Sequence, residues 1–284
     1  MSTHILKELS QRYPQLIIPL AYEAKDSAAY KNAVLRGQPV EGELNFSHSA
    51  EDCLTVYDTP AGCAEVLYLE KRDDFEHAVQ ALAYRCEPRE IPASMGATTI
   101  RGLINWQKIH NHRDEYIASG HLDWNAEFRR FTSKKSNYLD SIILISNGYY
   151  SAVQPETIGL QSDLWREKSV VIRTWHELTH FVCRGLFPDD IDAVRDEVFA
   201  DMIGLAAAFG NYDPYLAKVF LGIENDTYRQ GGRLENYLSE TQTPEEPSGS
   251  TRELITFLSA QEQRPDEDIF AFLLRIFQKI KKKL

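Results

Sequence analysis

Two histidines and a glutamate in the middle of the chain have the spacing of a metal site. The segment reads His176-Glu177-Leu178-Thr179-His180. Residues four apart on a helix project from the same face, so the two imidazoles can bind a single ion. Glu177 follows the first histidine, so it lies close enough to that ion to hold a water molecule without being a ligand. The spacing therefore predicts a catalytic metal site.

A third ligand is expected on a second helix. Zinc in catalytic sites takes three protein ligands and leaves the fourth position for water, and a carboxylate is a common third ligand. Glu197 follows His180 by 17 residues, after a turn that lets the second helix fold back on the first. Asp201 lies four residues further on, where it can accept a hydrogen bond from a histidine ligand. The sequence therefore predicts Zn²⁺ bound by His176, His180 and Glu197.

The motif His176-Glu177-x-x-His180 followed by Glu197-x-x-x-Asp201 resembles that of the gluzincin metallopeptidases, the thermolysin-like branch of the zincins. The resemblance covers about residues 141 to 210. It implies that both histidines and Glu197 bind zinc, that Glu177 is the general base and that Asp201 orients the first histidine. It also implies that a zinc-bound water cleaves a peptide or amide bond, with a peptide or protein as substrate.

Residues around the motif support a second resemblance. Trp175 precedes it, and Arg184 and Phe187 follow it. The sequence around the motif looks like that of an uncharacterised bacterial family that shares the helix pair. This second resemblance implies no substrate.

Gluzincins usually carry a side chain that stabilises the oxyanion of the reaction. Four tyrosines near the motif are candidates for that role, and packing explains each of them equally well. They are Tyr149, Tyr150, Tyr212 and Tyr215.

The pattern of apolar residues predicts the elements that position these side chains. One helix runs from near Ser162 to Gly185 and a second from about Asp190 to Gly210, and Ser141 to Ile145 is the clearest strand. Asp73 is predicted to cap an earlier helix, and Ser250 with Glu253 to form a capping box for a later one. We expect an α+β fold in which a smaller α/β segment, residues 1–95, precedes a zincin-like catalytic region, residues 96–284.

The C-terminal helix, predicted over Asp266 to Lys281, has an apolar face and ends in several lysines. A helix with this pattern can lie on a membrane surface. Its acidic start and basic end also complement the helix dipole, which favours packing of the apolar face on the core.

Composition narrows the classes of partner. A net charge of -11 argues against binding to nucleic acid, because phosphates repel an acidic surface. The N-terminus has no apolar core followed by a cleavage site, and no apolar run reaches the ~20 residues that span a bilayer. We expect a cytoplasmic protein with no membrane contact. The sequence does not predict its oligomeric state.

Two other functions fit the same residues. A binding or scaffold protein can keep the fold and the metal without turning over a substrate. A zinc hydrolase can also act on a substrate that is not a peptide.

Overall fold

The computed structural model describes residues 5–188, 192–224, 227–230, 232–238, 243 and 245–283. The chain has an α+β fold, as predicted. Its helices are α1 (Ile5–Arg12), α2 (Ala28–Tyr30), α3 (Arg72–Leu82), α4 (Trp106–Ala118), α5 (Trp124–Thr132), α6 (Pro155–Ile158), α7 (Ser162–Leu186), α8 (Ala193–Phe209), α9 (Pro214–Leu221), α10 (Glu245–Ser259) and α11 (Ile269–Lys283). Its strands are β1 (Cys53–Thr59), β2 (Gly62–Leu69), β3 (Ala97–Ile104), β4 (Leu139–Ser146), β5 (Ile223–Glu224) and β6 (Thr227–Tyr228).

Shorter turns connect these elements. A π-helical stretch covers Lys31–Leu35, and single 3₁₀ turns cover Pro14–Leu16, Ala24–Asp26, Lys135–Asn137, Tyr150–Ala152 and Arg233–Tyr237. None of the described helices combines the length and the apolarity that crossing a bilayer requires.

The chain divides into two compact units. The first contains the residues up to Thr55, Glu65–Pro92 and Thr98–Ser146, and the second contains Val56–Ala64, Ala93–Ala97 and the residues from Asn147 onward. Residues 98–146, which the sequence assigned to the catalytic region, thus pack with the N-terminal segment.

The sheet has the strand order β1-β2-β4-β3. β2 and β4 run parallel, with Val66 opposite Ile143 and Leu69 opposite Ser146. Residues 142–146 of β4 are all buried, as expected for a strand covered on both faces. The core of the first unit includes Leu6, Leu9, Leu67, Phe75 and Val79.

The second unit is built on α7 and α8. The prediction of α7 is confirmed over its whole length, and α8 ends at Phe209 as expected. The predicted start of α8 at Asp190 lies outside the described residues; Asp192 caps the helix by accepting a hydrogen bond from the amide of Arg195. A Cβ on Gly204 of α8 would lie 2.7 Å from the carbonyl oxygen of Ile172 on α7. The two helices therefore pack backbone to backbone at this point.

Two predicted caps are wrong. α3 begins at Arg72, so Asp73 lies inside its first turn and the cap residue Lys71 makes no side-chain hydrogen bond. α10 begins at Glu245, which places Ser250 and Glu253 within the helix. Asp73 and Ser250 are of residue types that often cap helices, but the local pattern does not state where the preceding turn ends.

The C-terminal helix α11 packs on the core of the second unit, as predicted. Phe272, Leu273, Ile276, Phe277 and Ile280 are all buried. The ring of Phe277 stacks on that of Phe187, with 4.6 Å between centroids.

Candidate metal centre

Helix α7 presents His176 and His180 to one point in the interior of the second unit. Both residues are buried, with 7% and 4% of their surfaces exposed. Their Nε2 atoms lie 3.1 Å apart. The helical spacing thus brings the two imidazoles together as the sequence predicts.

Helix α8 brings the carboxylate of Glu197 to the same point. Its Oε2 lies 3.3 Å from Nε2 of His176, and its Oε1 lies 3.3 Å from Nε2 of His180. Both Nε2 atoms therefore lie within 3.3 Å of an oxygen of the same carboxylate.

These distances between ligand groups are those of a metal site. Zinc binds nitrogen and oxygen at 2.0–2.2 Å, which places the ligand atoms of a tetrahedral site roughly 3.3 Å apart. The three side chains offer one ligand atom each, all close to one another. The donor set fits a divalent transition metal, so the cluster could hold a metal ion.

The opposite nitrogen of His176 is held by two buried groups. Its Nδ1 lies 3.0 Å from Oδ1 of Asp201 and 2.9 Å from the hydroxyl of Tyr150. Asp201 is fully buried. Because Nδ1 is engaged there, Nε2 is directed toward the centre of the cluster.

The opposite nitrogen of His180 has a carboxylate of its own. Nδ1 of His180 lies 2.9 Å from Oδ2 of Asp196. Arg184, half exposed, approaches the same Asp196 oxygen at 3.3 Å. Each histidine thus lies between the carboxylate of Glu197, which contacts both histidines, and a second carboxylate that contacts it alone. Histidines that bind metals commonly have a carboxylate on their opposite nitrogen.

Arg233 completes the group behind His176. It comes from the 3₁₀ turn Arg233–Tyr237 and pairs with Oδ2 of Asp201. Its Nη1 donates to the hydroxyl of Tyr150 at 2.8 Å, and that hydroxyl donates to Oδ1 of Asp201 at 2.6 Å. The three side chains form a closed network against Nδ1 of His176.

The turn that carries Tyr150 is anchored to α7. The amide of Tyr150 donates to Oγ of Ser169 at 2.9 Å, and Arg173 donates to the carbonyl of Tyr149 at 2.7 Å. A Cβ on Gly96 would lie 2.2 Å from Nε of Arg173, so a larger residue there would displace the guanidinium. The same helix that carries the histidines therefore fixes the position of Tyr150.

The electrostatics of the cluster favour a bound cation. Three carboxylates meet there, those of Asp196, Glu197 and Asp201, against the largely buried guanidinium of Arg233 and the half-exposed Arg184. Burial opposes ionisation of Glu197, but hydrogen bonds from both histidines outweigh it and hold its pKa well below the usual range.

The pKa values of the two histidines are raised, whereas that of Glu197 is lowered. Burial lowers the pKa of His180, yet the carboxylates of Asp196 and Glu197 outweigh it and raise that pKa to about 10. Burial likewise lowers the pKa of His176, and Asp201 and Glu197 raise it above its usual value. The surrounding charges therefore stabilise positive charge at this point.

Glu177 and the candidate tyrosines, which the sequence also singled out, differ in their positions relative to the cluster of His176, His180 and Glu197. Glu177 is half-buried on α7, directly after His176. Of the candidate tyrosines, Tyr150 contacts Nδ1 of His176, the nitrogen directed away from the cluster, so it is placed to orient that ring. Tyr149 hydrogen-bonds Ser162 at 2.7 Å, and Tyr215 is 57% exposed.

Three residues of the centre were not predicted: Asp196, Arg233 and Tyr237. Burial raises the pKa of Tyr237. The neighbouring carboxylate of Glu197, to which the Tyr237 hydroxyl hydrogen-bonds, raises it further. Asp196 has a signal in the sequence, because an acidic pair with Glu197 is unusual in a helix as apolar as α8. Arg233 and Tyr237 have none, since they lie more than 30 residues beyond the motif in an irregular segment.

No curated protein and no solved structure shows a significant match to this chain. A family match covers residues 2–271, nearly the whole sequence, and the family is described as one of unknown function, DUF7005. The chain belongs to that family.

Proposed function

We propose that this protein is a zinc-dependent hydrolase, most simply a metallopeptidase with a zincin-like catalytic region. His176, His180 and Glu197 hold the zinc, and Glu177 is the general base. The observation that carries the proposal is the convergence of two imidazoles on one carboxylate: their Nε2 atoms lie 3.1 Å apart, and each lies 3.3 Å from one oxygen of Glu197. Each of these histidines is backed by a second carboxylate.

The donor set favours zinc and an open site. Two imidazoles and a carboxylate are a common ligand set of catalytic zinc, whereas structural zinc is usually closed by four ligands, often cysteines. Zinc held by these three side chains would polarise a carbonyl oxygen and lower the pKa of water toward ~7.

The chain's own residues supply the proton transfer and the rigidity. Glu177 is partly exposed beside His176 and accepts a proton from the attacking water, then delivers it to the leaving nitrogen. Asp201 and Asp196 hold the two imidazoles so that their Nε2 lone pairs stay directed at the cluster. The peptide substrate is proposed from the resemblance of the motif to the gluzincins.

Metal analysis of the purified protein tests the site. We expect one equivalent of zinc, and we expect His180→Ala to lose it because two ligands hold the ion poorly. His110→Ala is the matched control, since His110 lies on α4, which belongs to the first unit. The proposed metal centre would be refuted if the wild-type protein bound no divalent metal, or if the H180A variant bound it as well as the wild type.

Glu177→Gln tests the reaction. It should retain full zinc occupancy and lose about 10²–10⁴-fold in hydrolysis of a mixed peptide library, the contribution of a general base. Glu167→Gln, on an exposed position of the same helix, should change neither property. Full zinc occupancy with no cleavage of peptides or of simple esters and amides would instead support a binding or scaffold protein. Cleavage of the esters alone would support a hydrolase with a non-peptide substrate.

A further inference from the structure

A long cleft in the first unit runs along strand β3. Its volume is about 680 Å³, within the range of ligand sites, and its lining includes every residue from Thr98 to Ile104. β3 ends the strand order of its sheet, so no further strand flanks its outer side among the described residues. Seven strand residues span about 20 Å, which is longer than a small molecule needs.

The cleft is basic, although the protein as a whole is acidic. Lys25, Lys31, Arg85 and Arg101 line it, against the single carboxylate of Asp26. The two lysines have acidic neighbours: Lys25 lies 3.1 Å from Glu87, and Lys31 lies 3.6 Å from Asp26. Such partly exposed pairs are weak, so an anionic ligand can exchange for them.

The interior of the cleft offers an unused acceptor and open space beside the strand. Oε1 of Gln15, a residue only 3% exposed, has no hydrogen-bond partner among the described residues. Gly102 in β3 has a φ of +74°, and nothing lies within 4 Å of the position that its Cβ would take. A glycine inside a strand often marks a place where another backbone approaches closely.

We propose that this cleft binds an acidic peptide in extended conformation. Its main chain adds to the outer side of β3, its carboxylates contact the lysines and arginines of the rim, and a donor group satisfies Gln15. The length of the cleft favours an extended chain over a compact anion, and its charge selects acidic sequences. This inference does not rest on the proposed hydrolase, because the cleft shares no residue with the metal cluster.

A fluorescent peptide of alternating glutamate and valine, eight residues long, is the probe. Binding to the full-length Glu177→Gln variant in EDTA is followed by fluorescence anisotropy, so that neither metal nor cleavage contributes. We expect saturable binding that weakens as salt rises. The same peptide with lysine in place of glutamate should bind at least about tenfold more weakly, because like charges would then face the rim.

Two comparisons test the two parts of the proposal. A glutamate-valine peptide with N-methylated amides keeps its charge but cannot pair with a strand, so it should lose at least about tenfold in affinity. The double variant Lys31→Glu/Arg85→Glu should bind at least about tenfold more weakly than Lys134→Glu/Lys135→Glu, which makes the same change in net charge outside the cleft.

The proposal is overturned if the N-methylated peptide binds as well as its parent, or if inorganic phosphate displaces the peptide at equal concentration. Either result would make the cleft a site for compact anions. Equal binding by the two double variants would place the peptide elsewhere. The N-methyl comparison uses no substitution in the cleft, so it decides the matter even if the charge-reversed variant fails to fold.

Discussion

Replacing Asp201 by asparagine is the sharpest perturbation of the metal centre. Asp201 is fully buried and contacts Nδ1 of His176, the hydroxyl of Tyr150 and the guanidinium of Arg233. The substitution keeps the shape of the side chain and removes its negative charge. It therefore affects two things at once, the support of His176 and the charge balance of Arg233.

The structure sets the size of each effect. Removing one partner of a buried ion pair costs about 3–5 kcal/mol, because the other charge is left uncompensated. Arg233 keeps its hydrogen bond to Tyr150, and 13% of its side chain is exposed, which favours the lower end, about 3 kcal/mol. Loss of a carboxylate behind a metal-binding histidine lowers metal affinity by about 10- to 100-fold.

A double variant separates the two effects. In Asp201→Asn/Arg233→Met both charges are gone, so most of the lost stability should return. Zinc affinity should stay low, because His176 still lacks its carboxylate. Stability is measured by urea denaturation in EDTA, so that metal binding does not contribute, and affinity by competition with a chromophoric chelator.

Two results would refute this reasoning. If zinc affinity returned together with stability in the double variant, Asp201 would act only by balancing Arg233. If Asp201→Asn left zinc affinity unchanged, the contact with Nδ1 would have no part in metal binding. Asp196→Asn is the comparison on the other histidine: it should lower zinc affinity similarly but cost less stability, because its neighbour Arg184 is half exposed and stays hydrated.

Three further predictions concern the frame around the centre. Tyr150→Phe should cost about 1–3 kcal/mol of unfolding free energy in urea, since it removes the acceptor of Nη1 of the largely buried Arg233; no measurable cost would mean that the hydroxyl is not bonded as described. Gly204→Ala should lower both stability and zinc affinity although alanine favours helices, because its Cβ would press on Ile172; a more stable variant would contradict the close packing of α7 on α8. Phe277→Ala should cost about 3–5 kcal/mol in the same assay whereas Lys282→Ala should cost little; similar small costs would mean that α11 is not part of the core.

The features that the sequence predicted correctly depend on interactions between residues close in the chain. Helical spacing alone places His176 and His180 on one face, and a turn after α7 returns Glu197 to that face from α8. These relations depend on residues close in the chain, so periodicity reveals them. The extent of α7 and the central part of β4, residues 141–145, follow from apolar runs for the same reason, whereas β4 itself begins at Leu139 and ends at Ser146. Caps were less predictable, because Asp73 and Ser250 have the right types but their role depends on where the preceding turn stops.

The tertiary structure alone decided the surroundings of the two histidines. Tyr150 was one of four equivalent tyrosines until the turn anchored by Ser169 brought its hydroxyl to Nδ1 of His176. Arg233 reaches Asp201 from an irregular segment 32 residues later, and no local pattern encodes that approach. The basic cleft along β3 likewise draws its cations from separate stretches of the first unit. Spacing along one helix is a property of the sequence, whereas contacts between distant segments exist only after the chain has packed.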